Sequence, residues 1–107
     1  MATTLGFVFI VDGPNMVIIT PSTQSYTLKE TDNMNQMPCT ADCIPVCTTT
    51  WSGPNLPAGT TSVLNVQNIN RNQAGSYQCT ASNDVSSKTS VVVNVVVQCK
   101  YYIGNIM

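Results

Sequence analysis

The sequence predicts an all-β domain in which two antiparallel sheets pack face to face as a sandwich. Short stretches with the two-residue alternation of β-strands follow one another, separated by clusters of Gly, Pro, Asn and Asp. No segment carries apolar residues at helical spacing over three turns. Cys39, Trp51 and Cys79 each lie within one of these alternating stretches. The 107 residues suffice for one such domain.

The first three strands are predicted from alternation and from the residues that stop it. Residues 16–20 form a strand that Pro21 ends, and residues 25–29 resume pairing further along the same edge. A polar turn follows, and residues 37–41 form a strand that carries Cys39. Because Pro38 cannot donate to a ladder, we expect it at an edge or a bulge.

The remaining strands follow from the same alternation. Residues 48–52 contain Trp51 and precede a turn cluster of Gly and Pro at 53–59. The last three predicted strands are 62–67, 76–82 and 88–97.

The ends of the chain lack the pattern of the domain. We predict a leader or the remnant of a preceding segment at 1–12, the domain at 13–97, and a tail at 98–107. The apolar stretch 5–11 is too short, and too poor in flanking positive charge, for a secretory signal. No stretch is long enough to insert into a membrane.

Composition excludes several classes of function. Four basic and five acidic residues give a net charge of −1, which is too little positive charge for a nucleic-acid partner. The chain has no His, the commonest catalytic base and metal ligand, so we expect neither an enzyme nor a metal or other cofactor. Five cysteines in so short a chain predict an extracellular location, either secreted or in an ectodomain.

Residues 72–83, NQAGSYQCTASN, together with Cys39 and Trp51, resemble the immunoglobulin superfamily over residues 13–97. Twelve residues separate Trp51 from Leu64, too few for the extra strands of a variable domain. The chain therefore looks like an intermediate or constant-like module of tandem cell-adhesion molecules or invertebrate immune receptors. The resemblance implies a Cys39–Cys79 disulfide, Trp51 and Leu64 in the core, and a Tyr77 hydroxyl bonded to upstream backbone.

One departure from the family pattern lies at Gln73, where Asp is usual. The substitution removes a carboxylate able to pair with an upstream Arg, so we expect this corner to depend more on packing and on Tyr77. Residues 11–15, VDGPN, look like the junction between tandem domains.

Two further cysteines lie between the strands that carry Cys39 and Trp51. Alternation places Cys43 and Cys47 where the chain crosses between strands, so we predict that they pair. The bond would pin a candidate binding loop, whose members are Asp42, Ile44, Pro45 and Val46. A staple without a ligand is the simpler interpretation. A zinc site is disfavoured, since the C-x3-C-x3-C spacing is unusual and His is absent. Cys99 could pair with another chain, pair elsewhere, or stay a free thiol.

The outward side of the sheet that carries Trp51 and Cys79 is a second candidate surface. Alternation turns Val91, Val93, Val95 and Val97 inward. The predicted outward residues are almost free of charge: Thr48, Thr50, Gln78, Thr80, Val92, Asn94 and Val96. Charge depletion is typical of interface cores, although Thr and Val also simply suit solvated strands.

Three functions fit these features. The first is a cell-adhesion module that binds itself as a homophilic dimer or binds another cell-surface protein. The second is innate immune recognition of a microbial surface ligand through the candidate loop. The third is a structural spacer in a tandem array. The fold does not choose among them.

Overall fold

The computed structural model describes residues 10–56 and 60–99. Within them the chain forms β-strands and one short 3₁₀ helix at Arg71–Gln73. The strands are β1 Val17–Ile19, β2 Ser25–Lys29, β3 Met37–Ala41, β4 Thr48–Ser52, β5 Val63–Leu64, β6 Gly75–Ser82, β7 Ser87–Thr89 and β8 Val93–Gln98. No helix in these residues has the length and apolarity needed to cross a bilayer.

The strands form two sheets that enclose one core, which confirms the predicted all-β sandwich. The smaller sheet has the order β1-β3-β5, and the larger has the order β2-β8-β6-β4 with β7 also on β6. The buried apolar side chains come from both sheets and from the loops between them: Ile19, Met34, Met37, Cys39, Trp51, Leu64, Val66, Ile69, Tyr77, Cys79, Ala81, Val93 and Val95.

The first two strands lie in different sheets. β1 pairs antiparallel with β3, whereas β2 pairs with β8, and this pairing is parallel. The prediction that residues 25–29 continue along the same edge is therefore wrong. The break at Pro21 carries the chain across to the other sheet without reversing its direction. This one N-terminal stretch therefore supplies an edge strand to each sheet.

Pro38 lies in a central strand, which corrects the expected edge or bulge. β3 has β1 on one side and β5 on the other, and Pro38 is opposite Val63. The carbonyl of Pro38 accepts a bond from the Thr20 amide at 3.1 Å. Thr20 is followed directly by Pro21, where the chain leaves this sheet. Pro38 is tolerated because its missing N–H faces the end of β1, where the ladder stops.

The last predicted strand is two strands joined by a β-bulge. Thr80 lies opposite Thr89, but Tyr77 lies opposite Val93, so four steps along β7–β8 match three along β6. The extra residue reverses the alternation. Val91 is consequently 53% exposed, and its predicted inward orientation is wrong. Val93 and Val95 lie in the core as predicted.

The predicted strand 62–67 is reduced to Val63–Leu64. Ser62 and Asn68 have φ of 55° and 53°, which lie in the left-handed region and end the extended run. The chain nevertheless stays attached to the core, because the Val66 carbonyl accepts a bond of 2.9 Å from the Met34 amide and its side chain is buried.

Candidate functional site

The centre of the sandwich is a disulfide between its two sheets. Cys39 of β3 and Cys79 of β6 are joined, with their Cα atoms 6.6 Å apart. Trp51 lies opposite Cys79 in the β4–β6 ladder and is 4% exposed. Its indole Nε1 donates to the Ser62 carbonyl at 3.2 Å, so its polar atom is satisfied although the ring is buried. Leu64 completes this core.

Ser62 connects the two sheets through its backbone. Its carbonyl also accepts from the Cys39 amide at 2.8 Å, and its own amide donates to the Thr49 carbonyl at 3.1 Å. The segment that contains Ser62 therefore covers part of the free edge of β4 and then enters β5 in the opposite sheet. A covered edge is less able to pair with other chains.

Tyr77 is fully buried and anchors the turn that precedes β6. Its hydroxyl donates to the Gln73 carbonyl at 2.5 Å. Burial raises the pKa of this hydroxyl, because the phenolate would lose its hydration. The Tyr77 ring lies so close to Gly53 that a Cβ there would be 2.3 Å from Cδ2. Glycine is required at position 53 for this packing.

The departure at Gln73 has a structural role of its own. The Gln73 side chain accepts a bond from the Asn70 amide at 2.9 Å, while the Asn70 side chain accepts from the Asn72 amide at 2.8 Å. These reciprocal bonds cap the 3₁₀ helix. Arg71 pairs with Glu30 across the domain at 3.1 Å, and this hydrogen bond raises the pKa of its guanidinium. This corner therefore has an ion pair between Arg71 and Glu30, whereas the family pattern would pair a carboxylate at position 73 with an upstream Arg.

The outer face is defined here as the outward side of β4, β6, β7 and β8. The register places Thr50 opposite Thr80 and Ser52 opposite Gln78. Asn94 is opposite Ser76 and also adjacent to Ser25 of β2. Thr48 and Val96 extend the face at its two ends, and Val92 lies in the bulge beside it. The structure thus brings six of the seven predicted residues to one side of one sheet, whereas Val92 lies between β7 and β8 and belongs to neither strand.

The outer face carries hydroxyl and amide groups and no charged side chain, and Lys29 of the edge strand β2 borders it beside Gln98. Its described members are Thr48, Thr50, Ser52, Ser76, Gln78, Thr80, Ser82, Ser87, Thr89, Asn94, Val96 and Gln98. Several are bonded within the face: the Ser76 hydroxyl donates to Asn94 Oδ1 at 3.1 Å, and Gln78 Nε2 donates to the Ser90 carbonyl at 2.7 Å. Val96 is 52% exposed. The face is therefore ordered, uncharged and partly apolar.

The other candidate surface is the loop 42–47, which lies at the end of the sandwich where the N-terminal segment enters. Cys43 and Cys47 form a disulfide with Cα atoms 5.7 Å apart, so their sulfurs are not available to a metal. Ile44 exchanges two backbone bonds with Asp12, of 2.6 and 3.0 Å. Asp42 and Pro45 are exposed, Ile44 is 50% exposed and Val46 is 87% exposed.

Asn83 organises this end of the domain, a role that was not predicted from the sequence. Its Nδ2 donates to the carbonyls of Asp12 and Pro45 at 2.8 and 3.0 Å. Its Oδ1 accepts from the amides of Val85 and Ser86 at 3.0 and 3.2 Å. One side chain therefore joins the N-terminal segment, the loop 42–47 and the turn after β6. Asn83 directly follows a strand and is followed by Asp84 and Ser86, which is typical of a turn. This pattern did not indicate the distant partners of Asn83.

Residues 10–12, predicted as part of a leader, are partly bound to the domain through the contacts of Asp12. Residues 1–9, 57–59 and 100–107 lie outside the described residues. Cys99, at the end of β8, is exposed and makes no disulfide with any described residue.

The chain is similar to known proteins at the level of a family and of solved structures. Residues 16–97 match the family described as Immunoglobulin domain. No curated protein matches the chain. Dpr11 IG1 bound to DIP-gamma IG+IG2 has a TM-score of 0.67 and 24% identity, over 83% of this chain and 49% of that one.

Two further structures have the same fold. The amphioxus IgVJ-C2 molecule has a TM-score of 0.65 and 22% identity, over 79% of this chain and 46% of its own. The insect immune protein hemolin, described with implications for homophilic adhesion, has a TM-score of 0.56 and 21% identity, over 84% of this chain and 23% of its own. This chain thus spans about half or less of these relatives.

Proposed function

Because this chain belongs to the immunoglobulin domain family, which matches it over residues 16–97, we propose that it is an extracellular adhesion module that pairs with a second copy of itself through the outer face. The observation that carries the proposal is the absence of charged side chains from the described outward positions of β4, β6, β7 and β8, the charge on this side of the sheet being Lys29 of the edge strand β2. Interface cores are depleted of charge because desolvating an unpaired ion is costly.

The chemistry of the outer face suits contact between two identical surfaces. Hydroxyl and amide groups both donate and accept hydrogen bonds, so two copies can satisfy each other in a two-fold arrangement. Val96 supplies exposed apolar area on the same face. A net charge of −1 produces little repulsion between copies.

The extracellular location is supported by the two disulfides, since such bonds persist in oxidising compartments. The similarity to Dpr11 IG1, which is bound to another protein with immunoglobulin domains, and to hemolin, described with implications for homophilic adhesion, supports an adhesive role. These similarities are at or below 24% identity, so the argument for the outer face depends on its own composition.

The test is sedimentation velocity of the oxidised chain over a concentration series, in a Cys99→Ser background that prevents disulfide-linked dimers. We expect a reversible dimer. Val96→Lys should weaken it at least about tenfold, because a new ammonium would be buried without a partner. Ile18→Lys is the matched control, since Ile18 is 47% exposed on the other sheet.

A monomer at every concentration, or equal weakening by the two lysine substitutions, contradicts self-association through the outer face.

The second candidate function, innate immune recognition of a microbial surface, is favoured by the pinned and exposed loop 42–47. Binding of the monomer to bacterial cells, abolished by Val46→Lys but not by Val96→Lys, would support it. A spacer role would leave both assays negative.

A further inference from the structure

A shallow depression lies between the loop 42–47 and the turn after β6, at the end of the outer face where Thr48 lies opposite Ser82. Its volume is about 300 Å³, and it is lined by Pro45, Val46, Thr48, Ser82, Asn83 and Asp84. We call this depression the socket. The two walls differ in chemistry.

One wall is apolar and the other carries a carboxylate. Pro45 and Val46 present ring and methyl carbons, and Val46 is 87% exposed. Asp84 is exposed on the opposite wall and makes no ion pair with any residue of the described segments. Thr48 and Ser82, opposite each other in the β4–β6 ladder, add hydroxyl groups to the lining. An apolar wall beside a carboxylate matches a side chain with a hydrocarbon stem and a cationic end.

The charge around the socket favours a cation. Asp12, Asp42 and Asp84 all lie at this end of the domain, where the only basic side chain in the described residues is Lys88. The Lys88 ammonium donates to the Asn15 carbonyl at 2.7 Å and is not paired with these carboxylates. The local field is therefore negative, although the net charge of the whole chain is only −1.

The socket is held in place before any ligand arrives. Asn83 bonds to Pro45 on one wall and to the backbone of Val85 and Ser86 beyond the other. The Cys43–Cys47 disulfide closes the loop that carries Pro45 and Val46. A preformed site loses less conformational entropy on binding.

We propose that this socket receives a Lys or Arg side chain of a partner protein, with its stem against Pro45 and Val46 and its cationic group on the Asp84 carboxylate. Ile44 and Val85, 50% and 48% exposed, provide apolar contact for the residues that flank the inserted side chain. Arg fits better than Lys, because its guanidinium forms paired bonds with a carboxylate. This contact does not depend on self-association, although the socket shares Thr48 and Ser82 with the outer face.

The experiment is a titration of the ¹⁵N-labelled, oxidised chain followed by backbone amide chemical shifts. The probe is the blocked tripeptide Val-Arg-Val, added up to about 100 mM because a single contact of this kind is weak. Its matched control is the same peptide with citrulline, which is uncharged and nearly isosteric with Arg. We expect shifts concentrated at Val46, Thr48, Asn83 and Asp84, and at least about threefold smaller with the citrulline peptide.

Two variants separate the socket from the general acidity of this end. Asp84→Asn should reduce the shifts at least about threefold, whereas Asp42→Asn, which removes the same charge outside the socket, should leave them unchanged. Absence of shifts, equal shifts with the citrulline peptide, equal shifts with free spermidine, or equal loss in both variants would overturn the proposal. A negative result leaves the dimer assay unaffected, because that assay depends on Val96, which does not line the socket.

Discussion

At the scale of single residues, the two tyrosine hydroxyls buried in the sandwich differ in whether they are satisfied. The Tyr77 hydroxyl donates to the Gln73 carbonyl, which links the start of β6 to the preceding 3₁₀ helix. The Tyr26 hydroxyl is buried and has no hydrogen-bond partner among the described residues. Since an unmade bond removes much of the benefit of a buried polar group, the two hydroxyls should contribute differently to stability.

We therefore expect Tyr77→Phe to lower the free energy of unfolding by about 1–2 kcal/mol, because it leaves the Gln73 carbonyl without its donor. Tyr26→Phe should leave that free energy unchanged or raise it by up to about 1 kcal/mol. Urea unfolding followed by Trp51 fluorescence measures both. A larger loss in Tyr26→Phe than in Tyr77→Phe would contradict the assignment of these hydroxyls.

At the scale of elements, the loop 42–47 is constrained twice. The disulfide closes a ring with a sequence separation of 4, and Asn83 bonds the loop to the turn after β6 and to Asp12. A ring this short gains little from loop entropy, roughly 2 kcal/mol at most. The constraints act mainly on the shape of the loop, and only secondarily on the stability of the domain.

The double substitution Cys43→Ser/Cys47→Ser should lower the free energy of unfolding by less than about 2 kcal/mol. Hydrogen exchange at the amides of Ile44 and Val46 should nevertheless become faster. Asn83→Ala should accelerate the same amides with the disulfide intact, and Asn68→Ala, at another exposed turn, is the control. If neither change affected exchange in the loop, its preorganisation would have to come from the Asp12–Ile44 backbone bonds alone.

At the scale of the whole molecule, the two sheets are joined covalently at one point. Cys39 and Cys79 are separated by 40 residues, and their bond is buried beside Trp51. A loop of this size corresponds to roughly 4 kcal/mol in the chain-entropy model. This is a large part of the 5–15 kcal/mol stability typical of a small domain.

The double substitution Cys39→Ala/Cys79→Ala should therefore lower the free energy of unfolding by roughly 4 kcal/mol, about twice the effect of removing the loop disulfide. Equilibrium urea unfolding of the two double variants, compared with the unsubstituted chain, measures this difference. A smaller loss on removing Cys39–Cys79 than on removing Cys43–Cys47 would contradict the argument from loop length.

Local sequence was sufficient for several elements of this fold. β2, β3 and β4 have the predicted bounds, because alternation and the turn residues around them act over a few positions. Cys39, Trp51, Leu64 and Tyr77 are buried, because their spacing already describes a sandwich core. The uncharged composition of β4, β6 and β8 likewise requires only the two-residue period of a strand.

The sequence by itself thus determined the sandwich, its central residues and the composition of its outward side. Only the tertiary structure decided the parallel pairing of β2 with β8, the bulge that exposes Val91, and the socket that Asn83 holds together. Each of these depends on partners distant in the chain: Val95 for Tyr26, Cys79 for Ser90, and Asp12 for Asn83. Alternation reports which side of a strand is apolar, but it carries no information about which distant backbone group will lie opposite.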